Sequence, residues 1–400
     1  MKNNSRFWWE RKNLEYSDGR LHFAGMDLSE MAEKWGTPLY LYDSGRSLEN
    51  IRRVTDALQH VGVQHQILYA MKANRNPDLL KKMQESGLCG IDACSPGEVL
   101  RALECGFSPG NISVTACGVS ERDWEVYQKN DGIMFNVNSI SSLKRITRNR
   151  YRSRVGIRLN PSVGVGYHDN EKVRYSGKTA TKFGVYEDRV DEALEICKNH
   201  DIRVTGLHMH TGSGFLGDAL DNYRQALTCL VDIARELPGL EYLNIGGGLG
   251  VPLVETDKPL NLEQWAGIVA DTVGQTGLKI IVEPGNYISK DSGLLLCQIV
   301  EIDEKGGAHF TYLDAGCNVH PEPAYYSLPM EPVTILKPRP DKLQKTTLAG
   351  NINEALDKFY ETCMIDGSEG DLIALINGGA YGKSMVSNHC MRGHVREILL

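Results

Sequence analysis

Ile67-Leu68-Tyr69-Ala70-Met71-Lys72-Ala73-Asn74-Arg75-Asn76 is a short apolar run that ends on a lysine and passes into a polar turn bounded by Pro77. A lysine that closes a buried strand is costly unless it is paired, neutralised or used covalently. Two readings stand here. The side chain emerges into solvent where the strand stops, or its amine sits in a partly desolvated pocket and condenses with an aldehyde cofactor as a Schiff base.

Outward from this stretch the pattern is regular. Strand-like apolar runs recur at 67–71, 90–94, 112–117, 133–138, 155–160, 204–210, 242–246 and 279–283. The seven intervals carry helix-favouring stretches such as 77–87, 96–105 and 221–237, with apolar residues at helical spacing. Eight strands alternating with helices over residues 44–285 predict an α/β fold, a (β/α)8 TIM-type barrel. An open doubly wound sheet is the alternative. After residue 285 strand-like runs at 294–302, 309–313, 333–336, 372–376 and 395–399 alternate with Gly/Pro turns, with one helix expected near 353–363. Residues 286–400 therefore predict a mostly β C-terminal domain. In the segment 1–43, strands at 21–23 and 39–42 flank a helix at 27–35 and are expected to join that domain.

Composition narrows the function. The 400 residues carry a formal charge of −7, which argues against nucleic acid or an anionic membrane as the main partner. Ten cysteines without a C-x-x-C pair suit reduced thiols and a cytoplasmic setting. The start has no apolar signal-peptide core, and no stretch is long and apolar enough to span a bilayer.

The chemistry-bearing residues fall where the strands end. Lys72 follows strand one, and Asp92 and Ser95 strand two. His210 closes strand six, Gly246–Gly250 follow strand seven, and Glu283-Pro284-Gly285 closes strand eight. This is the rim on which such barrels carry their sites. The glycine run breaks G-x-G-x-x-G because position 251 is Val, so phosphate binding through backbone N–H groups is expected, not a dinucleotide fingerprint. His208 and His210 share a strand face, yet no third ligand stands at suggestive spacing and no metal is expected. His210 reads as a ring stacked on an aromatic cofactor, and His208 as a hydrogen-bonded core histidine. A carboxylate at Glu283 needs a cationic partner, either a barrel Lys or Arg or a protonated pyridine nitrogen.

Taken together, Tyr69–Asn74, His208-Met209-His210-Thr211-Gly212-Ser213, Gly246–Gly248, Glu283–Gly285 and Gly379-Ala380-Tyr381 resemble one family. It is the pyridoxal-phosphate decarboxylases of the alanine-racemase-like barrel fold (the diaminopimelate/ornithine decarboxylase family), with the diaminopimelate enzymes most similar. The resemblance covers about residues 20–395. It implies pyridoxal 5'-phosphate as cofactor and a head-to-tail homodimer with shared active sites. By the same resemblance Lys72 holds the cofactor covalently, His210 stacks on its ring and Glu283 pairs with the ring nitrogen. Ser213, Gly247, Gly248, Gly285 and Asn286 hold it largely at the phosphate, and Tyr381 of the second copy completes the site. Glu322, Tyr326, Asn353, Glu354 and Tyr381 fall on the substrate side.

Three positions depart from the diaminopimelate pattern. Asn286 replaces the arginine of E-P-G-R. Glu322 replaces the arginine of R-P-x-x-Y. Asn353 stands where C-E-S-G-D has its proton-donating cysteine, while Glu354 is kept. Tyr381, Tyr326, Cys317, Cys363 or water must then protonate the carbanion. Two lost arginines and an added acid disfavour a distal carboxylate. The expectation is therefore α-decarboxylation of a diamino acid or an N-acylated one, such as N-citrylornithine in siderophore assembly. Lys178, Lys182 or Lys383 would then serve its carboxylates. The alternatives are meso-diaminopimelate in lysine biosynthesis, ornithine or lysine, a racemase on the same fold, and an inactive regulatory paralogue.

Overall fold

The computed structural model describes residues 7–149, 151, 154–177 and 179–400; Lys178 lies outside them. The chain divides into two compact units, one of residues 48–251 and 258–288, the other of residues 1–47, 252–257 and 289–400.

The first unit is the barrel. Its eight parallel strands are His65–Ala70, Gly90–Ala93, Ile112–Val114, Met134–Val137, Val155–Asn160, Val204–Met209, Tyr242–Asn244 and Lys279–Val282. The eighth pairs with the first through Val282 and Ile67, and each strand pairs with the next, so the sheet closes. The eight strands overlap the apolar runs read from sequence, and a helix occupies each of the seven intervals. Side-chain caps keep the rim turns short: Asn76 caps Pro77–Ser86 and Ser95 caps Pro96–Glu104, each with proline in the first turn. Lys72 and Asp92 are thereby left at the strand ends.

The barrel interior is filled from below. Leu68, Met134, Tyr242 and Ile281 form its buried apolar cluster. The Tyr242 ring has room only because strands five and six carry glycine beside it. A Cβ at Gly206 would lie 2.2 Å from the ring, and one at Gly156 would lie 2.7 Å from its hydroxyl. Register aligns His208 with Arg158 on one side and Asn244 on the other, and Asp92 with Ser113.

The second unit is mostly β. Its long strand Gly293–Lys305 pairs antiparallel with Leu39–Tyr42, Ala308–Leu313 and Leu372–Leu375. Leu39–Tyr42 also pairs with Arg396–Leu399. The N-terminal strand Arg20–Phe23 instead sits in a three-stranded sheet with Leu14–Ser17 and Met26–Asp27, joined to the C-terminal strands by one bridge from Arg20 to Leu336.

The helix expected near 353–363 does not form. Residues Lys358–Ile365 are a strand paired antiparallel with Gln344–Ala349, itself a strand too polar to be read from sequence. Two forces decide this. Asp357 turns its carboxylate back to accept the N–H groups of Ile352 and Cys317, both at 2.6 Å, an alternative to helical pairing. Phe359, Tyr360, Thr362 and Ile365 then favour a pleated, half-buried surface.

Candidate active site at the barrel rim

The rim gathers two acids, two histidines and two cations around the strand ends. Lys72, half-buried two residues past strand one, donates from Nζ to Asp92 Oδ2 at 3.3 Å and lies 3.6 Å from Cys94 Sγ. Asp92 is fully enclosed. Burial, then the nearby Glu283, push its carboxyl up to about 8, and Lys72 offsets this only in part.

Glu283 behaves in the opposite way. Burial acts to raise it, but His208, Asn244 and Lys72 more than offset this and hold it below the ordinary carboxylate value. Its Oε2 accepts from His208 Nε2 at 2.9 Å; its Oε1 accepts from Asn244 Nδ2 at 2.6 Å and from Ser113 Oγ at 3.4 Å. His208 itself is lowered by burial, so a neutral ring donates to an ionised acid. A buried carboxylate surrounded by neutral donors keeps its negative charge available for a cationic ligand.

His210 lies past the end of strand six. Burial, then Lys72, Arg158 and His208, hold it well below the ordinary imidazole value. Its Nδ1 accepts the Gly247 N–H at 3.3 Å, and its ring stacks on Tyr175 with centroids 5.1 Å apart. The glycines after strand seven allow close loop packing. A Cβ on Gly247 would meet the Glu283 carbonyl at 2.1 Å, and one on Gly248 (φ +102°) would meet the Gly212 carbonyl at 2.5 Å. The N–H groups of Gly248 and Gly285 donate to no acceptor among the described residues. Ser213 is half-buried nearby, its N–H tied to Val173. Asn286 is buried and accepts from the Tyr167 hydroxyl at 3.5 Å.

Sequence reading missed two features. The first is the partner of His208: it is the buried, hydrogen-bonded core histidine expected, and the acid it bonds is Glu283. The second is the buried cation Arg158, which sits in the middle of an otherwise apolar strand.

The substrate-side expectations lie in the other unit. Glu322 is buried and ion-paired to Lys290, with His320 Nε2 also 3.3 Å from its Oε2. Burial acts to raise Glu322, and Lys290 and His320 more than offset it. The expectation that Glu322 presents an uncompensated charge to substrate is thus corrected: it is already ion-paired to Lys290. Tyr326 is half-buried. Asn353 and Glu354 are exposed on the loop that Asp357 anchors, and Glu354 Oε1 lies 2.9 Å from His389 Nε2. Tyr381 adopts a left-handed backbone (φ +55°) beside Gly379, where a Cβ would meet the Ser289 carbonyl at 1.9 Å. Cys317 and Cys363 are poor substitutes for the absent cysteine, because burial pushes both thiols up to about 12. Lys383 donates to the Val395 carbonyl at 2.7 Å, and Lys182 stands over the Phe183 ring.

Residues 48–290 match the family described as pyridoxal-dependent decarboxylase, pyridoxal binding domain. A diaminopimelate decarboxylase of Methanothermobacter thermautotrophicus is 34% identical, the match covering 97% of this chain and 92% of that one. The crystal structure of diaminopimelate decarboxylase from M. jannaschii with L-lysine superposes with a TM-score of 0.87 at 26% identity, covering 97% and 93%. The Helicobacter pylori diaminopimelate decarboxylase with L-lysine gives 0.84 at 28%, covering 94% of each chain. The rim suits the cofactor these comparisons imply: an amine for its aldehyde, an ionised buried acid for its ring nitrogen and unpaired backbone N–H groups for its phosphate. The chain belongs to the pyridoxal-dependent decarboxylases, carbon–carbon lyases that act through pyridoxal phosphate on the alanine-racemase-like barrel fold.

Proposed function

We propose that the chain removes the α-carboxylate of a diamino acid, with meso-diaminopimelate the first candidate. Lys72 bonds the cofactor aldehyde, His210 lies against the ring and Glu283 faces its nitrogen. Ser213, Gly247, Gly248, Gly285 and Asn286 hold the phosphate end. The observation that carries this reading is Glu283, fully buried and ionised among neutral donors. Bound there, the cofactor supplies an electron-accepting ring for the electron pair left by departing carbon dioxide. Glu283 keeps a proton on the ring nitrogen, and Asp92, poised near neutrality, can exchange a proton with the Lys72 amine as substrate displaces it. Tyr381 and Glu354 act on the substrate of a second copy in a homodimer with shared sites, and the enzyme works in the cytoplasm.

The diaminopimelate assignment is supported by the relatives and by the pairing of Glu322 with Lys290, which removes the expected repulsion of a distal carboxylate. A second reading, an N-acylated diamino acid of the citryl-ornithine kind, is favoured by Asn286 and Asn353 standing where the family has arginine and cysteine.

Borohydride treatment of the loaded protein should fix the cofactor on the peptide containing Lys72; labelling of another lysine rejects that role. Carbon dioxide release from meso-diaminopimelate, ornithine, lysine and citryl-ornithine then decides the substrate. If kcat/KM is highest for the citryl conjugate, the second reading replaces the first.

A further inference from the structure

Tyr167 lies on the segment that joins strand five to the helix Val190–Asn199, and it is fully buried. That segment wraps the residues after His210. Val165 and Tyr175 donate backbone N–H groups to the Thr211 carbonyl at 3.4 and 3.1 Å, and Tyr167 donates to Ser213 at 3.2 Å. The Tyr167 ring fits only because residue 214 is glycine (φ +80°), where a Cβ would lie 1.8 Å from it. Past that glycine the hydroxyl reaches the end of the run Gly246–Gly250. It accepts the Val251 N–H at 3.1 Å, and its one proton is shared between the Val251 carbonyl at 3.0 Å and Asn286 Oδ1 at 3.5 Å. Phe215 ties the middle of the run, donating its N–H to the Gly248 carbonyl at 2.8 Å and accepting that of Gly250 at 2.9 Å.

We infer that Tyr167 is a positioning residue for the cofactor phosphate: its hydroxyl locks the glycine loop so that the Gly248 N–H is aimed before the ligand arrives. This rests on the placement of the phosphate at Gly247, Gly248 and Gly285 proposed above. The loop 246–251 contains no helix or strand, so no regular ladder fixes the direction of its N–H groups. Phe215 and Tyr167 do so instead, and the Gly248 N–H is left over between the two ties. An anion held by backbone N–H groups binds more tightly when those groups need no ordering on binding. Without the hydroxyl, the N–H and carbonyl of Val251 lose the partner that fixes them, and the loop is free to leave the binding conformation.

The test compares pyridoxine 5'-phosphate with pyridoxine on the full chain freed of cofactor. Neither ligand has an aldehyde, so neither bonds to Lys72, and the ratio of their dissociation constants reads the phosphate site. Tyr167→Phe keeps the ring against Gly214 and removes only the hydroxyl. It should weaken the phosphorylated ligand about three- to tenfold and leave pyridoxine unchanged. Equal weakening of both ligands, or of neither, overturns the inference. Gly248→Ala, whose Cβ would meet the Gly212 carbonyl at 2.5 Å, tests the underlying placement and should lower the same ratio. If Gly248→Ala lowers it and Tyr167→Phe does not, the phosphate placement stands and the role of Tyr167 falls. If neither variant lowers it, the phosphate is bound elsewhere and both fall. Should Tyr167→Phe fail to fold, hydrogen exchange of ligand-free wild-type protein decides. Slow exchange at Val251 before any ligand is added supports the lock, and exchange that slows only on adding pyridoxine 5'-phosphate overturns it.

Discussion

Glu283 and Glu322 are both buried glutamates, one in each unit, and they have opposite surroundings. Glu283 is met by His208, Asn244 and Ser113, neutral donors that fix its orientation and leave its charge unspent. Glu322 is met by Lys290 in an ion pair, with His320 beside it, and its charge is consumed inside the protein. Burial alone therefore says little about function. The charge state of the neighbours separates an acid that waits for a ligand from one that holds a fold together.

The comparison can be broken at its functional end first. Glu283→Gln keeps the size and most hydrogen bonds of the site and removes only the charge. Turnover should fall by about 10²–10⁴-fold, the range for a lost proton-holding group, with the thermal midpoint little changed. A variant that keeps near-normal kcat would show that the charge is not used.

At the structural end the effect should appear as stability. Lys290→Met leaves Glu322 buried without its lysine, with only His320 beside it, a loss of about 3–5 kcal/mol on chemical denaturation. The double change Lys290→Met with Glu322→Leu should recover most of it. A fully destabilised double variant would mean that the pair does more than cancel itself.

A third experiment sharpens the contrast through pH. The Asp92 value is raised in the folded chain to about 8, against ~3.9 unfolded. The folded chain thus holds a proton that the unfolded chain releases. That contribution is fully present below the unfolded value and is lost as pH rises through the folded one. Asp92→Asn should flatten the decline in thermal midpoint of the cofactor-free protein between about pH 4 and 8; an unchanged slope would place the proton elsewhere. The smallest effect is expected at Asn353. Asn353→Cys should raise turnover several-fold if a positioned acid is what the site lacks, and a fall would show that the asparagine contacts substrate.

The barrel was legible because each strand is a dense apolar run closed by a turn residue, and because its rim residues lie in those turns. Lys72, His210 and Glu283 could be picked out as residues costly in place unless used. Arg158 could not, since a lone arginine in Val155–Asn160 gives no hint of whether an anion faces it. Glu322 was read with the wrong consequence because its partner Lys290 lies 32 residues away and neither shows in a local motif. The stretch 353–363 reads as a helix in sequence, and the turn that prevents it depends on the carboxylate of Asp357, which no local pattern shows.

The tyrosine seated against Gly156 and Gly206 has a bearing on traffic. Its ring packs with Leu68, Met134 and Ile281, so the barrel interior below the rim is apolar and filled by side chains. A filled interior leaves the rim as the side from which a ligand reaches Lys72. A smaller residue at position 242 would empty space beneath the rim without touching a group proposed to bind the cofactor.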